Sequence, residues 1–130
     1  MFRQRQRPAA RVRPTENTPT DWIHGFCYLA RQQCLHFGSS RKKPMEWRPV
    51  ISWKQCGSRL YVLPSTSQAN PAYFHLKPDQ CLRKRSRPEP PRDSYLYWVA
   101  ELVEPDCLIE LGILPHPIRI QIAEWLRQRM

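Results

Sequence analysis

The chain predicts a mainly β protein, a small antiparallel sheet curled into a barrel and closed by one C-terminal helix. Three observations carry that expectation. Residues 47–68, WRPVISWKQCGSRLYVLPSTSQ, hold two β-rich runs either side of a short polar stretch containing Gly57, the pattern of a hairpin. Further short aromatic and β-branched runs precede and follow it, separated by proline-rich, glycine-containing and charged segments. Near the end, Ile118, Ile122, Trp125 and Leu126 fall at i, i+4, i+7 and i+8, the apolar stripe of a helix that Pro117 opens.

Taken in order, residues 1–20 combine Arg3, Arg5, Arg7, Arg11 and Arg13 with several prolines and almost nothing to bury, which reads as a disordered basic arm. Residues 21–130 form one domain. Its first strand is Phe26-Cys27-Tyr28-Leu29-Ala30, with Gly25 at a bend before it. Residues 35–46 are a polar loop carrying Arg41, Lys42 and Lys43. The central strands are Trp47–Trp53 and Leu60–Ser65. A loop centred on Gly57 places Arg48 opposite Thr66, and directly opposed residues share a face with Cβ atoms about 4.5–5.5 Å apart. A permanent cation and a hydroxyl thus meet on a solvent-reachable surface. Ala72–Leu76 is a short strand, and residues 77–93 are a long connection rich in proline and arginine. Ser94–Val103 reads as a single strand that Pro105 ends, and Cys107–Leu111 as a last one before the helix.

Composition narrows the function. The formal charge is +10, concentrated in the arm, in Arg41-Lys42-Lys43 and in Arg83, Lys84, Arg85 and Arg87. Such clusters favour a polyanionic partner, nucleic acid ahead of an anionic membrane or an acidic protein. The second and third clusters would track phosphates without choosing a sequence. Trp47, beside Arg48 and after a polar loop, is the foremost candidate for stacking on a base; Tyr28 and Tyr73 are others, and Trp53 is better read as core. Only 4 glycines among 130 residues disfavour a phosphate-cradling loop. No apolar run reaches a membrane span, and acids are too scattered for paired-carboxylate chemistry. The 5 cysteines show no C-x-x-C spacing, so no metal site is expected; they read as reduced thiols of a soluble cytoplasmic protein, with Cys27 and Cys107 in the core.

The order of segments resembles the MazF/PemK family of toxin endoribonucleases. The resemblance rests on Gly25-Phe26-Cys27-Tyr28-Leu29-Ala30, on Arg48-Pro49-Val50-Ile51, on Val62-Leu63-Pro64-Ser65-Thr66-Ser67-Gln68, on Tyr73-Phe74-His75-Leu76 and on Ile109-Glu110-Leu111-Gly112-Ile113-Leu114 before the helix. It covers about residues 22–130. It departs from the family at His24-Gly25, where Gly-Asp is usual, and at Cys107-Leu108, where Arg-Leu is usual. It implies an SH3-like barrel and cleavage of single-stranded RNA without metal or cofactor, the RNA's own 2′-hydroxyl attacking phosphorus. Arg48 would stabilise the phosphorane and Thr66 would hold a phosphate oxygen, with Ser67 in its place if the register slips. Gln68 would line the RNA path; from residue type rather than resemblance, His75 and His36 are the histidines considered for that path, although no spacing brings any two histidines together as an acid–base pair. The resemblance also implies a homodimer and an acidic antitoxin peptide as partner. The rivals are a non-catalytic nucleic-acid-binding module, a CcdB-type protein that inhibits a target enzyme, and an unrelated small accessory subunit whose basic arm anchors it in a ribonucleoprotein.

Overall fold

A computed structural model of the chain describes residues 11–12, 23–40, 46–77 and 93–129. Its centre is the hairpin of β3 (Trp47–Cys56) and β4 (Arg59–Thr66), which is longer than the two expected runs because only Gly57 and Ser58 form the turn. Gly57 sits at φ 63°, a left-handed conformation that suits glycine in a two-residue hairpin turn. That turn pairs Cys56 with Arg59, Gln55 with Leu60 and Lys54 with Tyr61. The register then shifts by one residue between Ser52 and Lys54, so that Ser52 pairs with Val62 and Val50 with Pro64. Trp53 is the extra residue. A bulge of this kind changes which side chains oppose each other. Continued along both strands, the shifted register sets Arg48 opposite Thr66, as expected; without the bulge Arg48 would face Ser67.

Around the hairpin stand β1 (Arg11–Val12), β2 (Phe26–Arg31), β5 (Phe74–Leu76), β6 (Ser94–Leu96), β7 (Ala100–Val103) and β8 (Leu108–Ile113), followed by α1 (His116–Arg127). The described strands form one antiparallel sheet in the order β1-β7-β4-β3-β2-β8, with β6 also on β4 and β5 on β6. The sheet is not closed into a barrel, which corrects that part of the expectation: β1 and β8 are separate ends of the path. The helix makes closure unnecessary. Its residues Ile118, Ile122, Ala123 and Leu126 join Cys27, Ile51, Trp53, Leu63, Leu76 and Leu96 in one core, satisfying that face by packing rather than by edge pairing. On the opposite face Ala30, Leu35, Val50, Val62 and Val103 make a second, smaller core. The middle strands are therefore covered on both sides, which is why Val50-Ile51 and Val62-Leu63 read as apolar pairs rather than alternating.

Three further expectations change. The run Ser94–Val103 is two strands, because β6 pairs with Ser65 and Thr66 while β7 pairs with Leu60–Val62. Tyr97 and Trp98 are extruded between them into an aromatic cluster, with ring centroids of Tyr73 at 5.5 Å and 5.7 Å. Arg11 and Val12, expected within a disordered arm, pair with Glu101 and Ala100 on β7; the rest of residues 1–22 lies outside the described residues. Finally, the cysteines are not all reduced: Cys34 and Cys107 form a disulfide across 73 residues of sequence. The pairing of Ala30 with Leu108 brings the two sequence-distant segments side by side. Cys107 is only half-buried, on a 3₁₀ turn Pro105–Cys107, whereas Cys27 is in the core as expected. Among the described residues no helix is long and apolar enough to cross a membrane.

Candidate functional site

Arg48 lies on the face of β3 that carries Val50 and the smaller core, and it is 1% exposed. It does not stand on an open strand end, as the sequence led one to expect, because the turn and loop that follow β2 fold over it. Its Nε donates to Gln32 Oε1 at 2.7 Å and its Nη1 to the Ser65 carbonyl at 2.8 Å. Gln32 belongs to the 3₁₀ turn Gln32–Cys34 that the disulfide anchors, and its Nε2 donates to the Phe37 carbonyl at 2.7 Å. The Phe37 ring lies 5.1 Å from the guanidinium carbon, a cation–π contact. Gly38, at φ 80°, lies so close to the guanidinium that a Cβ there would collide with it. The loop is held from below by Glu101, fully buried on β7, whose Oε1 and Oε2 accept the amide N–H groups of His36 and Phe37 at 2.7 Å and 2.9 Å. A buried carboxylate thus staples the loop, and the loop with Gln32 fixes the arginine.

Two cavities open beside it. The larger, about 270 Å³, has Phe37 and Tyr73 as aromatic walls and Gln68 and Asn70 as amide groups, with Arg48 and Thr66 at its base. The smaller, about 120 Å³, is lined by Ser65, Ser67, Asp93 and Ser94 together with the same Arg48 and Thr66. Those two are the residues common to both, so Arg48 and Thr66 form a saddle between the cavities. The Thr66 hydroxyl accepts the Gln68 amide at 3.2 Å, a local turn that sends Gln68 into the larger cavity while Ser67 borders the smaller. Tyr73 keeps its proton to higher pH than an ordinary tyrosine, first because of burial and second because of Tyr97 beside it, so its phenol is a neutral donor in the larger cavity.

The pairing extends the saddle into a row. Ala30 is opposite Arg48, Thr66 is opposite Tyr95, and Tyr95 is opposite His75, so these residues share one face across β2, β3, β4, β6 and β5. The His75 ring stacks on Tyr95 with centroids 4.6 Å apart and planes at 13°. His75 Nε2 lies 2.7 Å from Asp93 Oδ1, both side chains being well exposed.

The sequence-predicted residues divide cleanly. Arg48, Thr66, Ser67 and Gln68 come together around the cavities, and His75 stands two strands away on the same face. Trp47 does not join them. Neighbouring residues on a strand point to opposite faces, and its ring instead receives the Arg31 guanidinium at 4.7 Å. Trp53 is core, as read. Tyr28 packs against the smaller core, and burial together with Glu110 raises its pKa. Arg41, Lys42, Lys43, Arg83, Lys84, Arg85 and Arg87 lie outside the described residues. Sequence reading missed Gln32, Phe37, Gly38, Asn70 and Glu101 as parts of the site. An acid inside the apolar run Val99–Val103 was the available signal for Glu101, since a buried carboxylate demands donors. Gln32 and Phe37 gave none.

Among the described residues no cluster of His, Cys, Asp and Glu side chains is disposed to hold a metal ion. Compared with family models, curated proteins and solved structures, the chain matches none of them.

Proposed function

We propose that this protein binds single-stranded RNA across the Arg48–Thr66 saddle and cleaves it there without a metal, as a divergent member of the SH3-like MazF/PemK fold. The observation that carries the reading is the sharing of Arg48 and Thr66 by two adjoining cavities. A phosphodiester has a nucleoside on each side, and a cation plus hydroxyl between two recesses matches that outline. The larger recess offers aromatic walls and amides for a base, the contacts that single-stranded RNA uses. A preorganised guanidinium suits charge that develops on phosphorus, because its donors need no rearrangement in the transition state. The net charge of +10 supports an anionic partner and, within the family resemblance, an acidic antitoxin segment. A homodimer and a cytoplasmic location belong to the same proposal.

A second reading is favoured by one specific feature, the depth at which Arg48 is held. With Gln32 and the Ser65 carbonyl already on its donors, the arginine would then anchor a non-catalytic RNA-binding cleft. One experiment separates the two. The protein is incubated with long unstructured RNA in EDTA, and the ends are mapped. Cleavage leaving 5′-hydroxyl ends, reduced at least about tenfold by Thr66→Val, supports the nuclease. Binding without cleavage sustains the second reading, and neither binding nor cleavage overturns both. Thr66→Val is chosen because its side chain is half-exposed and the arginine is held by Gln32 and the Ser65 carbonyl.

A further inference from the structure

Cleavage of RNA by its own 2′-hydroxyl needs a group that takes the hydroxyl proton, and the saddle does not contain one. Arg48 carries a guanidinium that stays protonated, and the Thr66 hydroxyl is no base at neutral pH. The Tyr73 phenol, in the larger cavity, holds its proton more tightly than usual. The smaller cavity is different: Asp93 lines it together with Arg48 and Thr66, and Asp93 Oδ1 lies 2.7 Å from His75 Nε2. The imidazole is also fixed in plane, stacked on Tyr95 at 4.6 Å and 13°. Tyr95 is the pairing partner of both Thr66 and His75. His75 therefore stands two strand spacings from Thr66, about 9–10 Å between backbones, on the same face. His75 lines neither cavity itself and meets the smaller one through Asp93. Among the described residues the ionisable groups facing the imidazole are the Asp93 carboxylate and the Tyr95 phenol; Lys77 lies just past the end of its strand.

We propose that His75 is the general base of the nuclease proposed above, on which this inference rests, with Asp93 as its positioning residue and Tyr95 as the brace that sets the ring plane. With the Asp93 carboxylate accepting the Nε2 proton, Nδ1 carries the lone pair. Nδ1 takes the proton of the 2′-hydroxyl, and the freed electron pair of the 2′-oxygen forms its bond to phosphorus. The bond from phosphorus to the 5′-oxygen breaks, its electron pair leaving with that oxygen, which takes a proton from water. The imidazolium returns its proton to the resulting hydroxide. The products are a 2′,3′-cyclic phosphate and a 5′-hydroxyl. The charges on Arg48 and Asp93 are unchanged throughout, so the arginine serves the phosphate and the dyad serves the proton.

The test uses the full chain, long unstructured RNA in EDTA, and the variants His75→Gln, Asp93→Asn and Thr66→Val, with folding checked by urea midpoint. For His75→Gln the expected result is a fall in kcat of about 10²–10⁴-fold, RNA binding by fluorescence anisotropy within about threefold of the parent, and loss of the acid limb of the pH–rate profile. Asp93→Asn should lower kcat less and move that limb, a change that a merely structural role would not produce. An RNA with sulfur in place of the scissile 5′-oxygen needs no proton on its leaving group, and the His75→Gln defect should persist on it. Rescue by that substrate would overturn the base assignment. Cleavage by His75→Gln within about threefold of the parent, alongside a defective Thr66→Val, would overturn the dyad while the nuclease stands. Weakened binding with unchanged kcat would make His75 a contact only and also overturn it. A parent that never cleaves removes both proposals together.

Discussion

Replacing Arg48 by alanine should damage the fold before it says anything about chemistry. The guanidinium is 1% exposed and donates to Gln32 Oε1 and to the Ser65 carbonyl. Hydrogen bonds to charged groups contribute about 1.5–3 kcal/mol each, and the orphaned acceptors would remain in a part-closed site. Losing both bonds therefore costs about 3–6 kcal/mol. Against a domain stability of about 5–15 kcal/mol, that is a large fraction. Arg48→Lys keeps the charge, but a single ammonium reaches one of the two acceptors, so about half the loss is expected. Equilibrium urea unfolding measures both, with an unchanged slope for a two-state transition. An Arg48→Ala protein within about 0.5 kcal/mol of the parent would refute the buried network, since changes that small are typical of surface positions. The consequence for function is practical. Loss of RNA cleavage in Arg48→Ala is interpretable only beside its stability, whereas Thr66→Val is not burdened in this way.

Three further outcomes are expected. Reducing the Cys34–Cys107 disulfide, or replacing both cysteines by serine, should lower stability by about 2–4 kcal/mol, because the bridge closes a long loop in the unfolded chain; a thermal midpoint unchanged by dithiothreitol would contradict this. Tyr73→Ala should weaken RNA binding by about 1–3 kcal/mol, the usual worth of a base stacked on an aromatic ring, while Trp47→Ala changes it within about twofold because that ring packs on Arg31 behind the strand; anisotropy titrations in which Trp47 proves the more costly would reverse the assignment. Burial and, less strongly, the Arg119 charge lower the pKa of His24 below 6.5. A lowered histidine pKa contributes stability that is present above 6.5 and is lost as pH falls through the folded value. The urea midpoint should therefore drop between pH 7 and pH 5, and His24→Asn should flatten that dependence; an equal slope in parent and variant would exclude His24 as the cause.

Elements whose signals are local were readable from the order of residues. The helix was legible from Ile118, Ile122 and Leu126, all of which are buried as their spacing requires. The central hairpin was legible from β-rich runs around Gly57, and its register, observed as far as Val50 opposite Pro64, continues to an opposition of residues 48 and 66. That opposition was reached through a compensation that no local signal announces. The turn is Gly57-Ser58, one step off centre, and the bulge at Trp53 restores the register because the large core wants that ring inside. Tertiary structure alone decided everything that depends on segments far apart in the chain. The disulfide joins residues whose 73-residue separation hides their adjacency, and Glu101 grips a loop more than sixty positions before it. The burial of Arg48 was decided the same way. A strand-end arginine reads as exposed until Gln32, Phe37 and Gly38 fold across it, and those residues carry no pattern that says where they will lie. Periodicity reports which face of an element is apolar; it does not report which loop will cover a charge, because that contact is settled by packing between elements that only the folded chain brings together.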